Sequence, residues 1–578
     1  MSSYTFFMGH YPSKWRGSEH SGQVTLGPRI DRLRLYCGPE VHGVNEATGR
    51  LLRKGDYVFG SFMKPEAVDG YINGVNPGDR SDVLGRFPFS ETSLDEAMEY
   101  AAVGYRVWRR TSINDRASAV HRFRDQMAAQ QEPLARLVTR ETGKPLWEAR
   151  QELLATIRAL DLLLDEGMNV LAPRVVDEIG ARSDSLPRGV VAILCPFNFP
   201  LLISAMNTAA AVLAGNAVIV KPSKFTPGVG QAHIELWDRC RLPRGTVNMV
   251  QGPGSVVGQR LVSHPDLDVL VFAGSYDTAC SLRRLTQHRP ELPVLLQCGG
   301  KGAAIVLDDA EIDRAAYEVM VGAFLTAGQR HNSTGRVIVD DSIYDEFVEC
   351  IVSNTQRLKV GYGFEPNVFM GPLISENLRT RYRRFVRTLT NEGHTALLEP
   401  QPVPNQLKGF YVRPSIVAVD WMQGSAVLDE EPPGPVLLVY RAQDWQQAVG
   451  LHNQIGGRIS ASLFTDPDNP NLSDIRERLR SGALNINRGT IGASLRLPAV
   501  GLGISSNGIS GGLGLLRFLT HPRSQLTEVR DFDSMPKLPG TNWLDPNHSA
   551  SETDEVLPIN DDPTELGDIS KFLELAPD

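Results

Sequence analysis

The chain has 578 residues, 42% hydrophobic and 22% charged, enough to bury a large interior in more than one domain. Its formal charge is −8, but residues 545–578 hold ten Asp or Glu against one Lys and carry −9, which leaves the remainder near neutral at +1. That balance gives no reason to expect nucleic acid as a partner, and the stretch of about 18 apolar residues that a membrane span needs does not occur.

The opening, MSSYTFFMGHYPSKWRG, lacks an apolar core after its positive charges and does not read as a secretory signal. Residues 1–54 mix aromatic, basic and Gly/Pro residues without helical or strand period and read as an extension. Ser93-Leu94-Asp95-Glu96 reads as a capping box opening a helix. Apolar residues then recur at helical spacing to about Leu171, with breaks near Thr111 and near Gly143-Lys144-Pro145.

Beyond Pro187, β-branched runs (GVVAILC, NAVIVKPS, GTVNMVQG, VLVFAGS, PVLLQC) alternate with apolar or amphipathic segments. Repeated strand–helix–strand units of this kind predict an α/β fold with a parallel sheet covered on both faces. A second α/β stretch begins at AAIVLDDAEID and continues through GRVIVDDSIYDEFVECIV, long enough for another lobe. After about Asn542 the chain is acidic and aperiodic, and it reads as a disordered tail. The six cysteines (Cys37, Cys195, Cys240, Cys280, Cys298, Cys350) have no CxxC spacing. Neither a disulfide framework nor a metal site is therefore expected, and a reducing cytoplasm is the expected location.

Six blocks carry a resemblance: CPFNFPLLISAMNTAAAVLAGNAVIVKPSKFTP, GTVNMVQGPGSVVGQRLVSHPDLDVLVFAGS, QCGGKGAAIVLDDAEID, AGQRHNSTGRVIV, DEEPPGPVLLV and LNINRGTIGASLRLPAVGLGISSNG. In this order, and with RETGKP at 140–145, the chain from about residue 56 to 540 resembles the aldehyde dehydrogenases. GPLISEN and DSMPKLPGTNWLDP are most similar to the succinylglutamate-semialdehyde branch, and INGVNPGDRSDVLGRF is similar to pyrroline-carboxylate dehydrogenases.

The resemblance implies two doubly wound, Rossmann-like lobes plus a small β oligomerisation arm. Residues 55–298 would form a dinucleotide-binding domain with arm strands at about 172–188, and 299–500 a catalytic-type domain. Residues 501–541 would return to the first domain and add an oligomerisation strand near Ser524 to Arg530, and 542–578 would be the acidic tail. A homo-oligomer, or pairing with an active relative, would follow, as would a small aldehyde or semialdehyde ligand.

By the same resemblance the cofactor is NAD or NADP. Lys221 would hydrogen-bond the adenosine ribose, Gly274 and Ser275 would meet the diphosphate at a helix start, and Glu431 would hold the nicotinamide ribose. Read without the resemblance, Lys221 is a solvated strand end and Gly274 a turn glycine. Lys224 stands where NAD-preferring relatives carry an acid, and a lysine there attracts a 2′-phosphate, which favours NADP. Pro433 replaces the aromatic residue beside the nicotinamide, and Ala499 replaces one lining the substrate funnel.

The family's chemistry needs a thiolate, an oxyanion donor and a base. Asn198 matches the oxyanion donor. The nucleophile position is His331, and the base position is Gln297, whose carboxamide cannot take a proton near neutral pH. Cys195 and Cys298 are alternative thiols, or else small apolar residues packed in strands. As a metal ligand, His331 would have poor companions in Asn332, Ser333 and Thr334. Two readings follow: a binding or assembly protein that has lost thiol-based oxidation, or an active NAD(P)-dependent semialdehyde dehydrogenase with altered chemistry at His331.

Overall fold

The computed structural model describes residues 44–45, 50–51, 54–63, 68–177, 180–403, 408–420, 430–492, 494–528 and 531–532. Nearly all of the N-terminal extension, the DSMPKLPGTNWLDP stretch and the acidic tail lie outside the described residues.

Four long helices, Thr92–Trp108, Ile113–Ala129, Gln131–Thr142 and Leu146–Asp165, precede the first sheet. Their ends follow from local chemistry. Ser112 caps the second helix by accepting from the Asp115 N–H. Gly143, at φ +77°, closes the third in the left-handed conformation that favours glycine. The expected capping box at Ser93 is not formed: the helix starts at Thr92, and Ser93 lies buried with its hydroxyl on the Asp56 carboxylate.

The first sheet holds five parallel strands in the order Val294–Cys298, Val269–Gly274, Val190–Leu194, Ala217–Lys221, Val247–Met249. An antiparallel hairpin, Tyr57–Val58 and Ser61–Phe62, extends its edge. The β-branched runs seen in the sequence supply these strands, and their residues are almost all buried, as helices on both faces require. Chain order reverses between Val190–Leu194 and Val269–Gly274, and a doubly wound sheet opens a ligand crevice beyond the carboxyl ends at such a reversal.

The second sheet runs Thr395–Leu398, Ser415–Ala418, Val436–Ala442, Thr334–Asp340, Gly302–Val306, Ser460–Phe464, Ala483–Ile486, parallel except at the Thr395 edge. Each sheet has its own apolar core, and Leu515, Leu516 and Leu519 bring the late chain back to the first. The fold is thus α/β with two parallel-sheet lobes. A second compact unit, among the described residues of 172–185 and 522–532, is strand-rich: Arg174–Val176 pairs antiparallel with Ala181–Pro187, which neighbours Thr520–Leu526. Val175 and Leu526 are exposed on it.

Candidate functional site

The crevice is built from the carboxyl ends of first-sheet strands and the segments that enter second-sheet strands. After Leu194 the chain turns through Cys195–Pro200 into the helix Leu202–Ala214. Glu152 fixes this turn, because its Oε1 accepts from the N–H groups of Leu201 (3.0 Å) and Leu202 (3.2 Å), donors that the helix start leaves unpaired. Its Oε2 receives the Lys144 ammonium at 2.6 Å, with both side chains 1% exposed.

Opposite, the segment Leu325–Gly328 is bent sharply: Thr326, Ala327 and Gly328 take φ of +57°, +53° and +65°. Two of these are not glycine, so surrounding contacts must hold the backbone there. Glu148 supplies them, taking a short hydrogen bond from the Thr326 hydroxyl and the Arg330 guanidinium at 2.9 Å. Arg330 also donates to Thr326 Oγ1 at 2.8 Å. Gln329 pins the far side through its Oε1, which accepts from Ile374 N at 2.9 Å.

This bend delivers His331 to the crevice, where its ring meets Phe199 edge-on at 6.0 Å. The Phe199 ring lies beneath the Lys144 ammonium at 4.3 Å and the Arg330 guanidinium at 5.1 Å. Among the described residues none hydrogen-bonds the His331 imidazole. Burial, with the Arg330 charge adding to it, holds its pKa down to about 4, so the ring is neutral at physiological pH.

Asn198 lies next to Phe199, but its Nδ2 donates to the Gln329 carbonyl at 2.9 Å, and its buried Oδ1 has no partner among the described residues. The donor expected to face an oxyanion is thus engaged by the loop carrying His331. Gln297 is half-buried on strand Val294–Cys298, its amide nitrogen close against the Gly511 backbone. Cys298 is buried, and its thiol is pushed up to about 12, chiefly by that burial. Burial likewise lifts Cys195 to about 11. A neutral buried thiol is a poor nucleophile, so neither cysteine is prepared to stand in at position 331.

At the carboxyl end of the strand Ala217–Lys221, Lys221 is buried and its Nζ donates to the Pro222 carbonyl at 2.9 Å, while burial depresses its pKa to about 8. Lys224 is exposed with its ammonium 5.2 Å from the Phe225 ring. Ser275 caps the helix Tyr276–Thr286 by accepting from Thr278 N, immediately after Gly274 ends its strand. Glu431 is packed against Gly299 and Lys301, and burial raises its pKa against the opposing pull of Lys301. Lys301, buried and itself held down to about 8, donates to the Gly434 carbonyl at 2.7 Å, which fixes the turn after Pro433. Ala499 pairs with Gly511 in an isolated antiparallel bridge.

The structure thus gathers His331 and Asn198 on one wall and sets Lys221, Lys224, Gly274 and Ser275 at the carboxyl ends of the first sheet. The Lys144, Glu148, Glu152 and Arg330 network is not visible in the sequence. RETGKP, which contains Lys144, carries a resemblance there and nothing more.

Buried ionisable groups set a pH dependence of opposite signs. His233, His331 and His452 are held by burial at about 3, 4 and 4, so the unfolded chain takes protons first as pH falls below about 6.5, and acid destabilises the fold there. Asp56 and Glu141, raised by burial to about 7 and 8, bind protons first in the folded state, and their stabilisation is lost as pH rises through those values. Melting temperature plotted against pH should peak at about 6.5 and fall on both sides. A monotonic climb toward alkaline pH would contradict this balance.

Comparison with known proteins agrees with the geometry. The sequence pattern described as the aldehyde dehydrogenase family matches residues 62–524. The α-ketoglutaric semialdehyde dehydrogenase of Bacillus subtilis is 30% identical, over 82% of this chain and 96% of that protein. The N-succinylglutamate 5-semialdehyde dehydrogenase of Paraburkholderia xenovorans is 33% identical, over 75% and 88%. Among solved structures, the NAD-dependent aldehyde dehydrogenase of Sinorhizobium meliloti superposes with a TM-score of 0.79 at 26% identity, over 84% of this chain and 96% of that one. The NADP-dependent glyceraldehyde-3-phosphate dehydrogenase of Bacillus halodurans, complexed with NADP, gives 0.76 at 28%, over 83% and 100%.

Proposed function

This chain belongs to the aldehyde dehydrogenase family, and from that premise we propose that it binds a nicotinamide dinucleotide and a small semialdehyde without oxidising the aldehyde through a thiol. The observation that carries this reading is His331, a neutral imidazole packed on Phe199 at the head of the bend where sulfur would have to act. Imidazole lacks the polarisable sulfur that makes a carbonyl adduct a good hydride donor. Gln297 cannot serve as the base that would free an acyl group.

The residues present fit a dinucleotide best at its adenosine end. The Lys221 ammonium, with the Pro222 carbonyl as its hydrogen-bond partner, has N–H capacity for a ribose hydroxyl, and exposed Lys224 would attract a 2′-phosphate, which supports NADP over NAD. Gly274 and Ser275 at the helix start suit a diphosphate. At the other end Glu431 can accept ribose hydroxyls, but Pro433 gives the nicotinamide no aromatic face. When bound, the nicotinamide supplies a hydride acceptor, and this chain's own residues orient and exclude water without supplying a nucleophile. The exposed strands of the second compact unit suit self-association, or pairing with an active relative.

Thermal shift with each dinucleotide, alongside absorbance of reduced nicotinamide with a panel of semialdehydes, tests the reading. NADP should raise the melting temperature more than NAD, and Lys224→Glu should reverse the order by weakening NADP about tenfold or more. Light scattering of the same preparation should give a mass above the 63.5 kDa of one chain. The competing reading, turnover through His331, is favoured by the retention of Asn198 and Glu431 in the crevice. Aldehyde-dependent reduction that His331→Ala abolishes would establish that reading and overturn ours.

A further inference from the structure

A second recessed site lies at the other end of the first sheet, where Arg244 and Gly245 lead into the strand Val247–Met249. It is a cleft of about 170 Å³ between the hairpin Tyr57–Phe62 and the C-terminus of the helix Pro227–Asp238. What apolar surface it presents comes mainly from Leu242 and Pro243, since Trp237 and Val247 beneath them are almost wholly buried.

Two charges of opposite sign stand on its walls and do not pair with each other. The Asp238 Oδ1 accepts from the Tyr57 hydroxyl at 2.6 Å, and among the described residues its Oδ2 has no partner. Arg244 is exposed, and among the described residues its guanidinium meets no carboxylate. The hairpin turn leaves room for the stem of the arginine. Phe59 and Gly60 take φ of +51° and +79°, and a side chain on Gly60 would come within 3.0 Å of Arg244 Cγ. Phe59, an unusual residue for that conformation, is held by its N–H on Asn248 Oδ1 (3.1 Å) and by stacking on Tyr100 at 4.5 Å. The Arg244 stem therefore lies over Gly60, with its charge 5.9 Å from the Phe59 ring.

We propose that this cleft binds a small zwitterionic amino acid, its carboxylate on Arg244, its ammonium on Asp238 and a short apolar side chain against Leu242 and Pro243. An anion alone would be repelled by Asp238 and a cation alone by Arg244, whereas a zwitterion satisfies both. The bulk agrees: at about 30 Å³ per water the cleft displaces on the order of five or six waters. It is too small for a dinucleotide, whose class of site runs to about 300–1,000 Å³.

Calorimetric titration of the full chain with L-valine tests this, with L-valinamide and N-acetyl-L-valine as probes that each lack one charge. L-valine should bind saturably in the millimolar range or tighter, and both probes should bind about tenfold more weakly or worse. Arg244→Gln and Asp238→Asn, both at exposed side chains, should each cause a comparable loss and leave dinucleotide-induced thermal shifts unchanged. Absence of saturable L-valine binding, or binding retained in both variants, overturns the proposal. Equal binding of the amide and the amino acid overturns it as well, since Arg244 would then not be reading a carboxylate.

Discussion

Replacing His331 with Cys and Gln297 with Glu together is expected to turn a chain without thiol-dependent oxidation into one that forms reduced nicotinamide from a semialdehyde. The bend of Thr326–Gly328 and its anchors on Glu148 stay in place in this variant, so the new sulfur inherits the position of the imidazole. The Arg330 charge that disfavours a protonated His331 works in the opposite direction on a thiol, stabilising the thiolate and raising its reactivity. Asn198 must then exchange its bond to the Gln329 carbonyl for the oxyanion, which costs one ordinary hydrogen bond of about 1 kcal/mol.

With His331→Cys alone, an acyl group should accumulate after about one equivalent of reduction, because Gln297 cannot activate water. Adding the glutamate should accelerate release by about 10²–10⁴-fold, the usual worth of a positioned base. Stopped-flow absorbance and mass spectrometry of the trapped acyl enzyme provide the readout. A folded double variant that binds dinucleotide but whose introduced thiol stays inert toward aldehydes would mean that the cavity itself has diverged. Unmodified protein turning over at about 1–10³ s⁻¹ would sink the account altogether.

The parallel sheets were legible because their strands are runs of Val, Ile, Leu and Ala bounded by Gly and Pro, which little but a doubly buried strand explains. Position 331 was legible because it stands next to Ala327-Gly328-Gln329-Arg330. What could not be read is whatever joins distant segments. The left-handed Thr326 and Ala327 carry no local signal, since neither residue favours that conformation. Read without the resemblance, Lys221 is a solvated strand end, yet the structure buries it with its ammonium on the Pro222 carbonyl. Ser93 has the spacing of a helix cap, but its partner is Asp56, 37 residues earlier in the chain. Glu148 and Glu152, one turn apart, match the pattern of a solvated face, and only the packing of residues 178 and 49 positions away turns them inward.

That inward turn leads to the largest expected loss of stability. Lys144 and Glu152 are 1% exposed, and Glu152 also carries two N–H groups at the start of the helix Leu202–Ala214. Glu152→Ala leaves an ammonium buried over the Phe199 ring and two helix donors without an acceptor, and should cost about 3–5 kcal/mol in urea unfolding. Lys144→Met with Glu152→Leu removes both charges and should recover most of that loss, because well-packed apolar replacements of a buried pair are often neutral. The helix donors would still lack an acceptor, so a residual deficit of about 1–3 kcal/mol should remain. If the double variant is as unstable as Glu152→Ala, the acceptor at the Leu201–Leu202 turn outweighs the ion pair. If Glu152→Ala costs under about 1 kcal/mol, the turn carrying Asn198 and Phe199 does not depend on Glu152.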